Sequence, residues 1–174
     1  MKSHAVWAMP LGVALVLFAI PQVSAQNRCK MSWEVPAADS KFTQQLTIDV
    51  GDIPGHQVRV LELHRVYPND KPNCEGLKRA DSWNRGYSDY VDRNGRAWGY
   101  QVIALENGDK IFGEYTGTSQ TAVASDGSKK STYEGTARWT GGTGKYQGVR
   151  GIAWEHGIAG VTQLKSEAEY WFEK

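Results

Sequence analysis

The sequence is poor in the residues that build most metal and nucleophile sites. Of its 174 residues, two are cysteine and four are histidine. After residue 25 the histidines are His56, His64 and His156, and none has the spacing to a cysteine or to another histidine that zinc sites use. No Gly-x-Ser-x-Gly segment occurs, so the nucleophile elbow of α/β-hydrolases is absent. We therefore predict no metal site and no cofactor.

The chain also lacks an excess of either charge. It has 20 lysines and arginines against 19 aspartates and glutamates, which gives a formal net charge of +1 at pH 7. Lys2 belongs to the N-terminal segment described next, and without it the two signs are equal in number. A neutral chain lacks the excess of basic residues that binds phosphate backbones and anionic membrane surfaces. We therefore predict no nucleic-acid partner.

Long apolar runs are missing as well. The densest one, 11–20, has about ten residues, whereas a membrane span requires about 20. It follows Lys2 and precedes Val23-Ser24-Ala25, the pattern of a secretory signal peptide cleaved after Ala25. We predict a signal peptide at 1–25 and one domain at 26–174, periplasmic or secreted and free of the membrane after cleavage. An uncleaved anchor is the alternative.

The two cysteines are Cys29 and Cys74. An even number in an oxidising compartment permits one disulfide, which would join the N-terminal arm to the long loop after Tyr67. The alternative is two separate thiols.

From about residue 42 onward the apolar residues recur with a period of two, and no amphipathic helix of ten residues is evident. Turn signals occur at Asn94-Gly95, Asn107-Gly108 and Asp126-Gly127. The predicted strands are 42–50, 58–67, 96–106, 110–123, 129–140, 149–157 and 161–173. Segment 74–86 is predicted to hold one turn or a short helix. In the last strand we expect one dry face, which comprises Leu164, Ala168, Tyr170 and Phe172.

Seven or eight consecutive antiparallel strands can hide their edges by closing on themselves. The predicted fold class is therefore all-β, a single antiparallel up-and-down, calycin-like β-barrel of about eight strands. A barrel of that size has room for core side chains or for one small ligand.

The segment WTGGTGKYQGVRG, at 139–151, could be a phosphate-binding loop or a turn between strands. A P-loop would need glycine at position 139 and serine or threonine at 146, where the chain has Trp139 and Tyr146. A strand rather than a helix is predicted to follow, so the site would lack a helix dipole. We therefore predict a turn, with Tyr146 packing back on the end of the barrel.

The same glycine segment resembles the Gly-Gly-Thr-Gly-basic-aromatic-x-Gly-x-Arg-Gly stretch of the allene oxide cyclase-like and dirigent-like β-barrels. The specific match covers about thirteen residues, and the strands on either side agree in outline. The resemblance implies an eight-stranded barrel with a mostly apolar cavity, often oligomeric in the plant relatives. Those relatives cyclise an unstable fatty-acid epoxide or direct the radical coupling of phenols, without a cofactor. The segment is structural in them, so it carries the fold and not the activity.

Candidate site residues are few. Glu62 and His64 share one face of a predicted strand with valines, where their pKa values could be shifted for acid–base work. The alternative is that this face is outside and that the opposite face, with Leu61 and Leu63, is the core. Glu155 and His156 lie on opposite faces of their strand, and each is interpreted as an outward residue.

Aromatic side chains are plentiful, and most of them are expected in the core. A cluster at the mouth of the barrel could bind a sugar, a phenol or a lipid. The candidate ligand-binding residues are Tyr100, Tyr115 and Trp139, with Trp98 and Trp154 in the same group.

The first functional hypothesis is an exported protein that binds a small apolar, aromatic or phenolic ligand in its cavity without catalysis. The alternative is a cofactor-free allene oxide cyclase-like isomerase or a dirigent-like guide, with Glu62 and His64 orienting a polar group. A second alternative is a non-catalytic interaction module or homo-oligomer that uses exposed aromatic residues such as Trp171.

Overall fold

The computed structural model describes residues 27–158 and 163–173; the predicted signal peptide lies outside them. This part of the chain folds as nine β-strands without an α-helix, which confirms the all-β prediction. The strands are β1 Cys29–Val35, β2 Ser40–Asp49, β3 His56–Val66, β4 Arg79–Val91, β5 Asn94–Leu105, β6 Lys110–Val123, β7 Lys129–Gly142, β8 Val149–Ile158 and β9 Gln163–Phe172.

All nine strands belong to one antiparallel sheet in the order β1-β9-β8-β7-β6-β5-β4-β3-β2. No ladder joins β1 to β2 within the described ranges, so the prediction of a closed barrel of about eight strands is wrong. The reason lies in the two edge strands. Because neighbouring strands are antiparallel, the first and the last of the nine strands in the sheet, β1 and β2, run in the same direction. Only residues 36–39 connect them. A parallel pair needs a connection of a dozen residues or more.

The open sheet is nevertheless strongly curled. β3 and β8 are separated by four strands, which is roughly 24 Å along the sheet at about 4.8 Å per strand. Even so, Arg65 in β3 and Glu155 in β8 line the same cavity of about 330 Å³. The sheet therefore has a concave face, on which β3 and β8 oppose each other, and a convex face toward solvent.

Side chains alternate between these two faces. In β9, Leu164, Ala168 and Tyr170 are buried and Lys165 and Glu167 are exposed, as predicted. β2 differs, because nine of its ten residues are exposed on an unpaired edge of the sheet.

Two strands are missing from the sequence prediction. β1 was not predicted, and 74–86, interpreted as a turn or short helix, instead contains the start of β4. The concave face of β4 carries Ser82, Asn84, Gly86 and Ser88. Because these inward residues are polar or small, β4 shows no apolar alternation, and the pattern that marks a half-buried strand is absent.

The hairpin turns follow two of the three signals. Gly108 and Gly127 both have positive φ, as a tight turn requires. At the third hairpin the turn residues are Asp92 and Arg93, with φ of 48° and 69°, and Asn94 already begins β5. The predicted Asn94-Gly95 turn is therefore displaced by two residues.

The glycine segment forms a turn, as predicted. β7 ends at Gly142, one turn of 3₁₀ helix spans Gly144–Tyr146, and β8 begins at Val149. Tyr146 is fully buried. The backbone N–H of Lys145 donates to the Asp109 carboxylate (3.1 Å). This N–H, which a phosphate-binding loop would direct at its ligand, is therefore bonded to an acidic side chain of the same protein.

Gly144→Ala is expected to lower the free energy of unfolding by about 2–3 kcal/mol. Gly144 has φ +53°, and an added Cβ would lie 1.9 Å from Oδ1 of Asp109, which would have to move. Gly127→Ala is the matched control, since Gly127 has φ +79° but no atom within 4 Å. Urea denaturation should give the control only the backbone cost, about 1–2 kcal/mol. Equal losses in both variants would contradict the proposed contact with Asp109.

The 67–78 loop covers one end of the curled sheet. A disulfide joins Cys74 in this loop to Cys29 in β1, with the Cα atoms 6.0 Å apart, which confirms the predicted bridge. In the same loop Glu75 accepts a hydrogen bond from the hydroxyl of Tyr170, and Asn73 donates one to the hydroxyl of Tyr146. The loop is therefore bonded to three separate parts of the domain.

Candidate functional site

The concave face contains a cavity of about 330 Å³, and none of its described lining residues belongs to the 67–78 loop. Its walls carry apolar side chains from several strands, among them Phe42, Leu61, Leu63, Ala97 and Leu164. Three tyrosines, Tyr90, Tyr115 and Tyr133, also line it. This volume lies at the small end of the range for ligand pockets, about 300–1,000 Å³.

The wall of this cavity also contains charged and polar groups that are almost completely buried. Arg65 is 7% exposed and Glu155 4% exposed, and Asn84 and Ser88 are buried beside them. Among the described residues, Nε and Nη1 of Arg65 and Oε1 of Glu155 have no hydrogen-bond partner. Buried polar groups normally have partners, so this cluster has unused capacity to bind a polar ligand group.

Burial shifts the acid groups of the cavity toward their neutral forms. It raises the pKa of Glu155, while the Arg65 charge and a hydrogen bond from Gln101 act in the opposite direction and only partly offset it. Burial also raises the pKa of Tyr115 to about 12 and that of Tyr133 further. At neutral pH the tyrosines are therefore hydroxyl donors rather than anions.

The structure separates the predicted site residues. Tyr115 lines the cavity. Trp139 is fully buried and packs on Tyr170, with ring centroids 5.4 Å apart, so it belongs to the core. Tyr100 is 65% exposed on the convex face.

The structure places Glu62 and His64 together, but on the convex face. Glu62 accepts hydrogen bonds from Thr43 (2.6 Å) and Arg85 (2.6 Å), which, in that order, lower its pKa. His64 stacks on Trp83 and bonds Asp81 (2.7 Å). The face with Leu61 and Leu63 lines the cavity instead.

Two cavity residues escaped the sequence analysis. Glu155 was interpreted as outward, and this is wrong, because β8 places it inward with Gly151, Ala153 and Gly157. That run of small inward residues is the signal that could have revealed its orientation. Arg65 shares the inward face of β3 with Leu61 and Leu63, and its charge conceals the alternation.

Glu155→Gln is expected to change how stability depends on pH. The folded state holds the Glu155 proton more tightly than the unfolded chain, whose ordinary pKa is 4.5. Wild-type stability should therefore fall as the pH rises from 4.5 toward the folded pKa, and the glutamine variant should not show this fall. Urea titrations between pH 4 and 8 test this, with exposed Glu167→Gln as control. Parallel curves for wild type and Glu155→Gln would contradict the burial-driven shift.

A wider groove of about 1180 Å³ is lined by residues of β1 and of β5 to β9, both outward ones such as Trp154 and inward ones such as Glu155, and by the segment 66–71. Many of its charged side chains already pair with one another, as Glu134 does with His156 and Lys165 with Glu34. Glu155 also lines this groove, but the buried and unpartnered nitrogens of Arg59 and Arg65 line the concave cavity and not the groove, so we place the candidate site in the cavity.

Comparison with known protein families, with curated proteins and with solved structures finds no match for this chain. In 27–158 and 163–173 no three or more histidine, cysteine, aspartate or glutamate side chains are grouped so that they could hold a metal ion. Over the same residues, no helix has the length and apolar character needed to cross a membrane.

Proposed function

We propose that the protein is exported, is trimmed after Ala25 to a periplasmic or secreted form, and binds a small apolar or aromatic molecule in the concave cavity. The observation that carries this proposal is the cavity of about 330 Å³, with apolar walls and buried groups that lack partners. The Cys29–Cys74 disulfide supports an oxidising compartment. Kinship with the allene oxide cyclase-like and dirigent-like barrels stays a prediction.

Native mass spectrometry of protein purified from the periplasm tests this proposal. The mature chain should begin at Gln26, lack two protons because of the disulfide, and carry a stoichiometric small molecule that solvent extraction removes. Binding of the neutral fluorophore N-phenyl-1-naphthylamine to the extracted protein gives an independent readout. Failure of both to show occupancy would overturn the binding role.

A pair of alanine variants locates the bound molecule. Ala97 lines the cavity and is 7% exposed, whereas Ala122 in β6 is exposed. Ala97→Phe should fill the cavity and remove fluorophore binding, while Ala122→Phe should leave it unchanged. Thermal melts establish that both variants fold. Equal binding by the two variants would place the ligand elsewhere.

The second candidate is a cofactor-free isomerase or a dirigent-like guide, and the buried carboxyl of Glu155 favours it. Burial raises the pKa of this carboxyl, and a carboxyl with a raised pKa is suited to donate a proton to a bound substrate. For any reaction that the protein accelerates, Glu155→Gln should cost about 100-fold or more in rate. Glu62→Gln, on the convex face, is the matched control and should have little effect.

A further inference from the structure

The cavity contains a buried cation without an ion-pair partner, although the carboxyl of Glu155 lies within reach of its charge. Arg65 is always charged, is 7% exposed, and forms no ion pair with any described residue. The undescribed segments 1–26, 159–162 and 174 contain no aspartate or glutamate, so no acidic side chain is left there to pair with it. A buried charge without a partner is costly, and an anion would relieve this cost.

The remaining charges around the cavity do not cancel this cation. Among the described lining residues, Glu155 is acidic and Arg59 and Arg93 are further cations. Nε of Arg59 is also buried without a partner. Burial drives Glu155 toward its neutral form, and the three tyrosines are neutral at pH 7. With three arginines against one carboxyl, the cavity is positive whichever form Glu155 takes.

The size and walls of the cavity restrict what the anion can be. About 330 Å³ accommodates one small molecule, and the walls combine tyrosine rings with leucines. Flat aromatic side chains pack well against an aromatic ring. A planar carboxylate is a strong hydrogen-bond partner for a guanidinium group.

We propose that the cavity selects a small aromatic carboxylic acid, with its carboxylate on Arg65 and its ring among Tyr90, Tyr115 and Tyr133. Arg59 and Arg93 line the same cavity and attract the anion electrostatically. This inference rests on the proposed binding function and names the chemical class of its ligand.

The test compares cinnamate with cinnamyl alcohol, which has the same ring and chain but no charge. Calorimetric titration of extracted wild-type protein should give cinnamate an affinity about 10- to 100-fold higher. Decanoate, an acid without a ring, should bind more weakly than cinnamate. Equal affinity for acid and alcohol, or tighter binding of decanoate, would overturn the ligand class. If N-phenyl-1-naphthylamine still binds in that case, the binding function itself survives.

Arg65→Met removes the charge and keeps the aliphatic stem. It should lower cinnamate affinity about 10-fold or more and leave cinnamyl alcohol within about 3-fold. Arg138→Met is the control, because Arg138 has a 74% exposed side chain on the convex face. Ligand-free Arg65→Met should be at least as stable as wild type, since it loses an unpaired buried charge. Unchanged cinnamate affinity in a folded Arg65→Met variant would overturn the assignment, and the wild-type comparison stands even if this variant fails to fold.

Discussion

Asp70→Ala is expected to lower the free energy of unfolding by about 3–5 kcal/mol, among the largest effects of any single substitution in this chain. The side chains of Asp70 and Arg79 are only 7% and 4% exposed. Asp70 accepts bonds from the Arg79 backbone N–H (2.8 Å), from Nε (2.9 Å) and from Nη2. Without the carboxylate, the buried guanidinium would keep its charge and lose its partner. Urea denaturation at pH 7 measures the loss.

This pair anchors the 67–78 loop. The Arg79 guanidinium lies over the Trp33 ring at 4.1 Å and over the Tyr67 ring at 4.4 Å, so it joins β1, the loop and β4. Cation–π contacts of this kind contribute more when desolvated. The loss in Asp70→Ala should therefore exceed that of an ordinary surface charge.

Two controls separate this explanation from a general effect of removing an acid. Glu114→Ala breaks the Arg138–Glu114 pair, which is 3.6 Å long with side chains 74% and 55% exposed, and should cost less than about 1 kcal/mol. Adding Arg79→Met to Asp70→Ala removes the unpaired charge and should recover part of the stability. A double variant no better than Asp70→Ala would contradict the argument.

The Asp70 pair also has a pH signature. Burial raises the pKa of Asp70, but the hydrogen bonds and charge of Arg79 together outweigh this, so its pKa ends below the ordinary 3.8. The stability from the pair is thus complete above 3.8 and is lost as the pH falls through the folded pKa. The difference between wild type and Asp70→Ala should shrink in that acidic interval.

The strands that the sequence revealed are those with an apolar inward face. β9 alternates Leu164, Ser166, Ala168 and Tyr170 with charged residues, and its buried face was predicted correctly. β1 has the same alternation in Cys29, Met31, Trp33 and Val35, but it is short and its pattern was overlooked. Closure could not be judged from strand patterns, because it depends on which strands lie at the two edges and how the chain connects them.

The candidate site was hard to find from the sequence because its central residues are charged. Arg65 and Glu155 are charged residues at inward positions, and a charged residue ordinarily indicates a solvent-facing position. Glu62 and His64 stood out because they interrupt a row of valines, yet that row forms the convex face. In a strand that lines a partly polar cavity, the apolar positions therefore do not identify the inward face.

Replacing both cysteines with serine is expected to lower the free energy of unfolding by about 3–4 kcal/mol. Cys29 and Cys74 are separated by 45 residues, so the bridge restricts a long segment of the unfolded chain. In the folded state the 67–78 loop keeps its other bonds, through Asp70 to Arg79 and through Glu75 to Tyr170. The loss should therefore arise mainly in the unfolded chain, and urea denaturation of the oxidised wild type and the double serine variant measures it.

The cavity should survive this change. None of its described lining residues comes from 67–78, so the serine variant should bind N-phenyl-1-naphthylamine with wild-type affinity at temperatures below its melting transition. Wild type reduced with dithiothreitol should lose the same stability as the variant, and the reductant should leave the variant itself unaffected. A loss below about 1 kcal/mol would mean that the unfolded chain gains little freedom when the bridge is removed. A fall in fluorophore affinity would instead show that the bridge shapes the folded cavity, contrary to the unfolded-state argument.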